Sequence, residues 1–85
     1  QGDIGAQVNL GQIYLQDGVQ KNEFESFRWF KKAADQHNMT AQYRLALLFE
    51  KGLGTKPDMR KVKYWLNESC QGGLKLACDE LLRFP

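Results

Sequence analysis

Cys70 and Cys78 are the residues with the clearest chemistry to offer. They enclose Gln71-Gly72-Gly73-Leu74-Lys75-Leu76-Ala77, a stretch whose paired glycines fit a tight turn between two helices. Across such a turn the two Cα atoms can approach within the roughly 7 Å that a disulfide tolerates. A bridge over so short a loop would contribute roughly 2–3 kcal/mol on chain-entropy grounds and would anchor the last helix. The alternative is two free buried thiols, which pack as small hydrophobes. An oxidised pair points to a periplasmic or secreted protein, a reduced pair to the cytoplasm. A structural zinc site needs a second pair of ligands, and His37 is the only histidine.

The remaining reactive-looking groups fall away on spacing. Gly52-Leu53-Gly54-Thr55-Lys56 has the composition of a phosphate loop, but Lys follows Thr in the wrong order and no strand precedes it. These glycines are expected to end a helix and supply positive φ before Pro57-Asp58. The serines, Ser26 in Ser-Phe-Arg-Trp and Ser69 in Ser-Cys-Gln-Gly, do not begin the S-x-x-K of a covalent serine mechanism. Nucleophile, base and orienting acid do not assemble, and His37 reads as a surface residue at a helix end. No catalytic residue, cofactor or metal ligand is assigned, and the chain reads as a non-enzyme.

What positions these residues is a repeat. Ala6-Gln7-x-x-Leu10-Gly11-x-x-Tyr14 returns as Ala41-Gln42-x-x-Leu45-Ala46-x-x-Phe49, a shift of 35 residues (41 − 6). Gly18 then maps to Gly54, Asn22 to Asp58 and Trp29 to Trp65, a shift of 36 (65 − 29), so one residue is missing near Leu15 to Asp17. A third copy begins at Ala77, also 36 on from Ala41, and places Leu81 where Leu45 stands. The expected organisation is one repeat domain over 1–85, with repeats at 3–37 and 38–73 and a capping helix at 74–85.

Each period holds two helical patterns joined by a short loop with glycine. Asp3 and Asn38 are matched N-cap candidates for the first helices, Asn22 and Asp58 for the second, and Asn22 with Glu25 resembles a capping box. Phe24, Phe27, Phe30 and Ala34 step by three and four along one face, as Met59, Val62, Leu66 and Ser69 do later. The spacing predicts helices at about 3–16, 22–36, 38–51, 58–71 and 74–84, with no competing strand pattern. Small residues such as Ala6, Gly11, Ala33, Ala41 and Ala46 allow close helix approach, so the pairs are expected to stack serially. An open N-terminal end exposing Ile4 and Val8 would then call for further repeats upstream.

Composition sets the outer limits. With 85 residues, 42% hydrophobic and 26% charged, the chain fits one packed domain. Twelve Lys+Arg against ten Asp+Glu leave a net charge of +2, too little to argue for nucleic acid. Lys56, Arg60, Lys61 and Lys63, with Arg28, Lys31 and Lys32 one repeat earlier, are expected to solvate an outer face. No apolar run approaches the roughly 20 residues of a membrane span, so membrane insertion is not expected. Gln1-Gly2-Asp3 opens no signal peptide and lacks an initiator Met, as in a piece of a longer chain.

Taken together, A-Q-x-x-L-G-x-x-Y, G-V-x-x-[ND] and Trp29-Phe30-Lys31-Lys32-Ala33-Ala34-Asp35-Gln36 look like the Sel1-like repeat, a relative of the tetratricopeptide repeat. The resemblance covers nearly the whole chain. Gln16-Asp17-Gly18 lacks the earlier glycine of the family loop, His37 stands where Gly is common, and Val62 where Ala is usual. The resemblance implies an all-α fold, an α-solenoid of antiparallel helix-turn-helix repeats with a C-terminal capping helix. First helices would line a concave face and second helices a convex one. It also implies a scaffold or adaptor for a protein or peptide partner, in bacteria often in the envelope.

The spacing of Cys70 and Cys78 is similar to that in the Helicobacter cysteine-rich proteins, Sel1-like proteins with a disulfide across each repeat. That likeness implies the same pairing here. Those relatives are associated with penicillin binding or weak β-lactam hydrolysis, an alternative that rests on analogy alone. A purely structural cap of a larger assembly is a third reading.

With the packing positions set aside, Val8, Gln12 and Gln16 remain on one first helix and Tyr43, Leu47, Glu50 and Lys51 on the other. They are the expected protein-binding residues. Tyr43 and Leu47, four apart, share a helix face and would offer an apolar contact, with Glu50 and Lys51 as a polar rim. Burial of Tyr43 and Leu47 between helices is the competing expectation. Asp79 and Arg83 continue the row on the last helix.

Overall fold

The structure is a computed structural model that describes residues 3–16, 18 and 21–84. Five helices follow in order: α1 (Ile4–Leu15), α2 (Glu23–Asp35), α3 (Met39–Lys51), α4 (Met59–Gln71) and α5 (Lys75–Leu81). No strand occurs among the described residues. The missing residue expected near Asp17, and Val19 and Gln20 of the loop motif, lie outside them.

Four helices start where the sequence places a capping side chain. Asp3, Asn22 and Asn38 each accept a hydrogen bond from the backbone N–H three residues on, at 3.3, 3.1 and 2.8 Å. Asp58 accepts from Arg60 and Lys61. Each bond satisfies a donor that the first helical turn leaves unpaired. The capping box at Asn22 is half made. The Asn22 N–H donates to the Tyr14 carbonyl at 2.7 Å, and the Glu25 carboxylate turns to Arg28. One repeat on, the Asp58 N–H donates to the Phe49 carbonyl, so this return bond fixes both loops in the same way.

Helix ends are equally regular. After α2, the N–H groups of His37 and Asn38 donate to the Ala34 and Ala33 carbonyls; after α4, those of Gly73 and Leu74 donate to Cys70 and Ser69. This paired pattern turns the chain through one left-handed residue. At Gly73 that residue is glycine, whereas His37 adopts φ of 70° with a side chain in place. Gly52 and Gly54 take positive φ after α3, as expected of helix-ending glycines.

The helices pack in series, α1 on α2, α2 on α3, α3 on α4 and α4 on α5, in a body of 38 × 25 × 16 Å. The fold is an all-α solenoid of helix pairs. Phe30, Leu45, Leu48, Val62 and Leu66 fill its core, with Ala33, Ala34, Ala41, Ala46 and Ala77 at the close approaches. Gly11 marks a further close approach, since a Cβ there would meet the Phe30 ring at 2.9 Å.

Three expectations are corrected. The α2 stripe does not run through Phe24, which is 75% exposed; the buried line is Ser26, Phe30, Ala33 and Ala34. Phe24 lies six residues before Phe30, about 120° around the helix, so apolar type alone had assigned it to the core. Met59, the first residue of α4, is also open. The last helix ends at Leu81, short of residue 84, with no side-chain bond at its Leu74 N-cap.

Candidate interaction surface

The two cysteines are joined. Cys70 near the end of α4 and Cys78 in the first turns of α5 form a disulfide, with Cα atoms 4.7 Å apart. Among the described residues no cysteine is free. Repeat geometry explains the placement. Cys70 and Cys78 stand 36 residues after Ala34 and Gln42, and there the Gln42 side chain donates to the Ala34 carbonyl at 3.3 Å across the same interval of 8. The bridge thus replaces a hydrogen bond at a repeat-equivalent helix crossing.

Both serines serve the fold. Ser26 Oγ donates to the Gly11 carbonyl and Ser69 Oγ to the Met39 carbonyl, each at 2.7 Å, and both residues are fully buried. Each bond ties a second helix to the first helix of its own repeat. A buried hydroxyl committed to a main-chain acceptor is poorly placed to attack a substrate.

Gln12 and Gln16, with Leu15, form the α1 wall of a depression of about 260 Å³; Phe30 lies at its base and Arg44 of α3 closes the other side. Val8, Gln12, Tyr43 and Leu47 are half-buried, and Gln16 and Lys51 are exposed. Tyr43 and Leu47 are therefore neither sealed between helices nor fully free. Glu50 is committed elsewhere, accepting from Arg83 Nη2 at 3.2 and 3.1 Å, while Arg83 Nε donates to Glu80 at 2.7 Å. Hydrogen bonding to Glu50, and next to Glu80, holds the Arg83 guanidinium above its ordinary pKa. The guanidinium therefore stays charged at every pH below the arginine range.

Arg44 is the residue that the sequence reading missed. It sits one place beyond Tyr43, off the Tyr43–Leu47 row, and position alone marked it as neither core nor surface. Its Nε is enclosed and has no hydrogen-bond partner. The basic residues Lys56, Arg60, Lys61 and Lys63 are exposed along the second helices' side. Lys61 and Lys32 rest over the Phe49 and Trp29 rings at 5.3–5.4 Å from the centroids, a use of charge that keeps the head group in water.

Serial helix pairs and matched caps define a helical-repeat solenoid. The Sel1 repeat matches residues 4–38 and 40–74, and the chain belongs to the Sel1 repeat family. It is similar to a Sel1 repeat protein from Oxalobacter formigenes, with 32% identity and a TM-score of 0.91 over 99% of this chain and 25% of that one. It is also similar to a protective antigen present in uropathogenic Escherichia coli strains that displays an SLR fold, with 34% identity and a TM-score of 0.87 over 95% of this chain and 17% of that one. The chain therefore spans about a quarter and about a sixth of these two structures. No curated protein matches it in sequence. Among the described residues, no helix is long and apolar enough to cross a membrane.

Proposed function

We propose that the chain is a non-catalytic interaction module, in which the first helices of successive repeats present one continuous surface to a protein or peptide partner. The observation that carries this reading is the depression shared by Gln12 of α1, Gln16 at its C-cap and Arg44 of α3, because it joins two repeats into one binding wall. Val8, Tyr43, Leu47 and Lys51 extend that wall, and Glu50 braces it through Arg83. A rigid array supplies such a surface at little ordering cost. Pull-down with the full-length protein, repeated with Tyr43→Ala and Leu47→Ala, tests it: capture should fall in both variants, and undiminished capture removes these residues from the surface.

The same reading includes further repeats before α1. Ala41, Leu45 and Leu48 of α3 are sealed, but their counterparts Ala6, Leu10 and Ile13 lie open or half-open, Ile13 at 47% exposure against 1% for Leu48. These residues recur at the spacing of one helix face, and Ala6 and Leu10 border a depression of about 240 Å³ beside Trp29. Ile4 and Val8, expected at this end, are half-buried. The face matches the one on which α3 receives α2, so a preceding second helix is its natural cover. Appending one upstream helix pair should raise the unfolding midpoint; no change would remove that role.

We also read the Cys70–Cys78 bridge as favouring an oxidising compartment. Mass spectrometry of natively sourced protein, alkylated without reductant, checks this. Two alkylated thiols would withdraw the inference.

A further inference from the structure

We propose that the depression between α1 and α3 receives an acidic side chain, a glutamate in an extended segment of a partner protein, with Arg44 as its ion-pairing group. This rests on the interaction-module reading and names the chemistry of the partner.

The first observation is a missing counter-charge. Arg44 is half-buried, its Nε is enclosed without an acceptor, and no carboxylate among the described residues pairs with it. A guanidinium drawn partly out of water and left unpaired is an incomplete arrangement.

The second observation is the equivalent place one repeat on. Glu50 stands 35 residues after Leu15, and Glu80 and Arg83 stand 36 after Arg44 and Leu47. At that later junction Arg83 is held by both carboxylates. At the earlier junction the same three positions hold Leu15, Arg44 and Leu47. Arg44 takes the place of the anion Glu80, and Leu15 and Leu47 take those of Glu50 and Arg83, so the earlier junction has a cation and neither anion. The later site holds its cation with its own carboxylates, whereas at the earlier one no carboxylate among the described residues pairs with Arg44.

The lining narrows that carboxylate to a side chain. A space of about 260 Å³ is below the usual range for drug-sized ligands and suits one anchoring side chain. Leu15 and the base over Phe30 are apolar, matching the two methylenes of glutamate. Arg44 then supplies a planar donor fork, and the amides of Gln12 and Gln16 can donate to the remaining carboxylate lone pairs.

The test is a random heptapeptide display library selected on the folded chain and on Arg44→Gln, followed by binding measurements on synthetic peptides. Peptides chosen by the unaltered protein should carry Glu at one fixed position, and that preference should vanish on Arg44→Gln. Changing that Glu to Gln in the peptide should weaken binding about tenfold or more, the usual effect of losing a charge-assisted hydrogen bond. The peptide change leaves the protein untouched, so it decides the matter even if Arg44→Gln folds poorly. Selected peptides without acidic preference, or a Glu-to-Gln loss below about twofold, overturn the glutamate site and leave the interaction module standing. If no peptide is enriched at all, the glutamate site falls, and the interaction module is judged by the pull-down alone.

Discussion

Replacing Gly11 with alanine should destabilise the chain, although in an open helix the same change would be worth about 1 kcal/mol of added stability. A Cβ at Gly11 would sit 2.9 Å from three atoms of the Phe30 ring, and Phe30 is fully buried. The ring must therefore retreat by roughly half an ångström into a packed core, and overpacking of this kind costs roughly 1–3 kcal/mol. The net effect is a loss of about 1 kcal/mol, which lowers the midpoint of a domain this size by roughly 4–8 °C.

The repeat supplies the compensating change. Ala46 stands 35 residues after Gly11 and Leu66 stands 36 after Phe30, so the second repeat pairs a larger small residue with a smaller large one. Gly11→Ala combined with Phe30→Leu should thus recover part of what each loses alone, since Phe30→Leu by itself leaves a cavity. Urea unfolding followed by circular dichroism on the four proteins gives the coupling energy, expected to be favourable by about 1 kcal/mol. A stabilised Gly11→Ala protein, or a cycle additive within roughly 0.3–0.5 kcal/mol, would refute the packing argument.

Reducing Cys70–Cys78, or changing Cys78 to Ala, should cost roughly 2–3 kcal/mol and act first on α5, whose N-cap has no side-chain bond. Hydrogen exchange should then rise over Lys75–Leu81 with α1–α3 unaffected; uniform loss across the chain would contradict a local anchor. His37→Gly should stabilise by about 0.5 kcal/mol, because relief of a left-handed φ outweighs the added freedom of the unfolded glycine. An unchanged or lower melting temperature would show that His37 makes compensating contacts. Ala34→Cys with Gln42→Cys should form a second disulfide under air oxidation, seen by mass spectrometry as the loss of two hydrogens, since this pair occupies the place of Cys70 and Cys78. Persistent free thiols would mean that the two crossings differ in approach.

The fold was legible because its signals are local. A capping Asp or Asn acts on an N–H two or three residues away, and a left-handed glycine ends the helix it follows. A repeat prints those signals twice, so each copy corroborates the other, and the helix boundaries of α1–α4 came out within a residue. Phe24 marks where local reading stopped working: a three-residue step says which side of a helix is apolar, but the neighbouring helix decides how wide a strip it covers.

The amino-acid sequence by itself determined the helix pairs, their caps, their order and the closeness of Cys70 to Cys78, because each depends on residues within about one or two helical turns or one tight turn. Only the tertiary structure decided that Glu50 is spent on Arg83, 33 residues away, that Gly11 lies under Phe30, and that Arg44 borders a depression with no counter-charge among the described residues. Those facts depend on which faces of non-adjacent helices meet. Side-chain type limits such meetings but does not choose among them, and the choice is made by how closely packed helices fill the space between them.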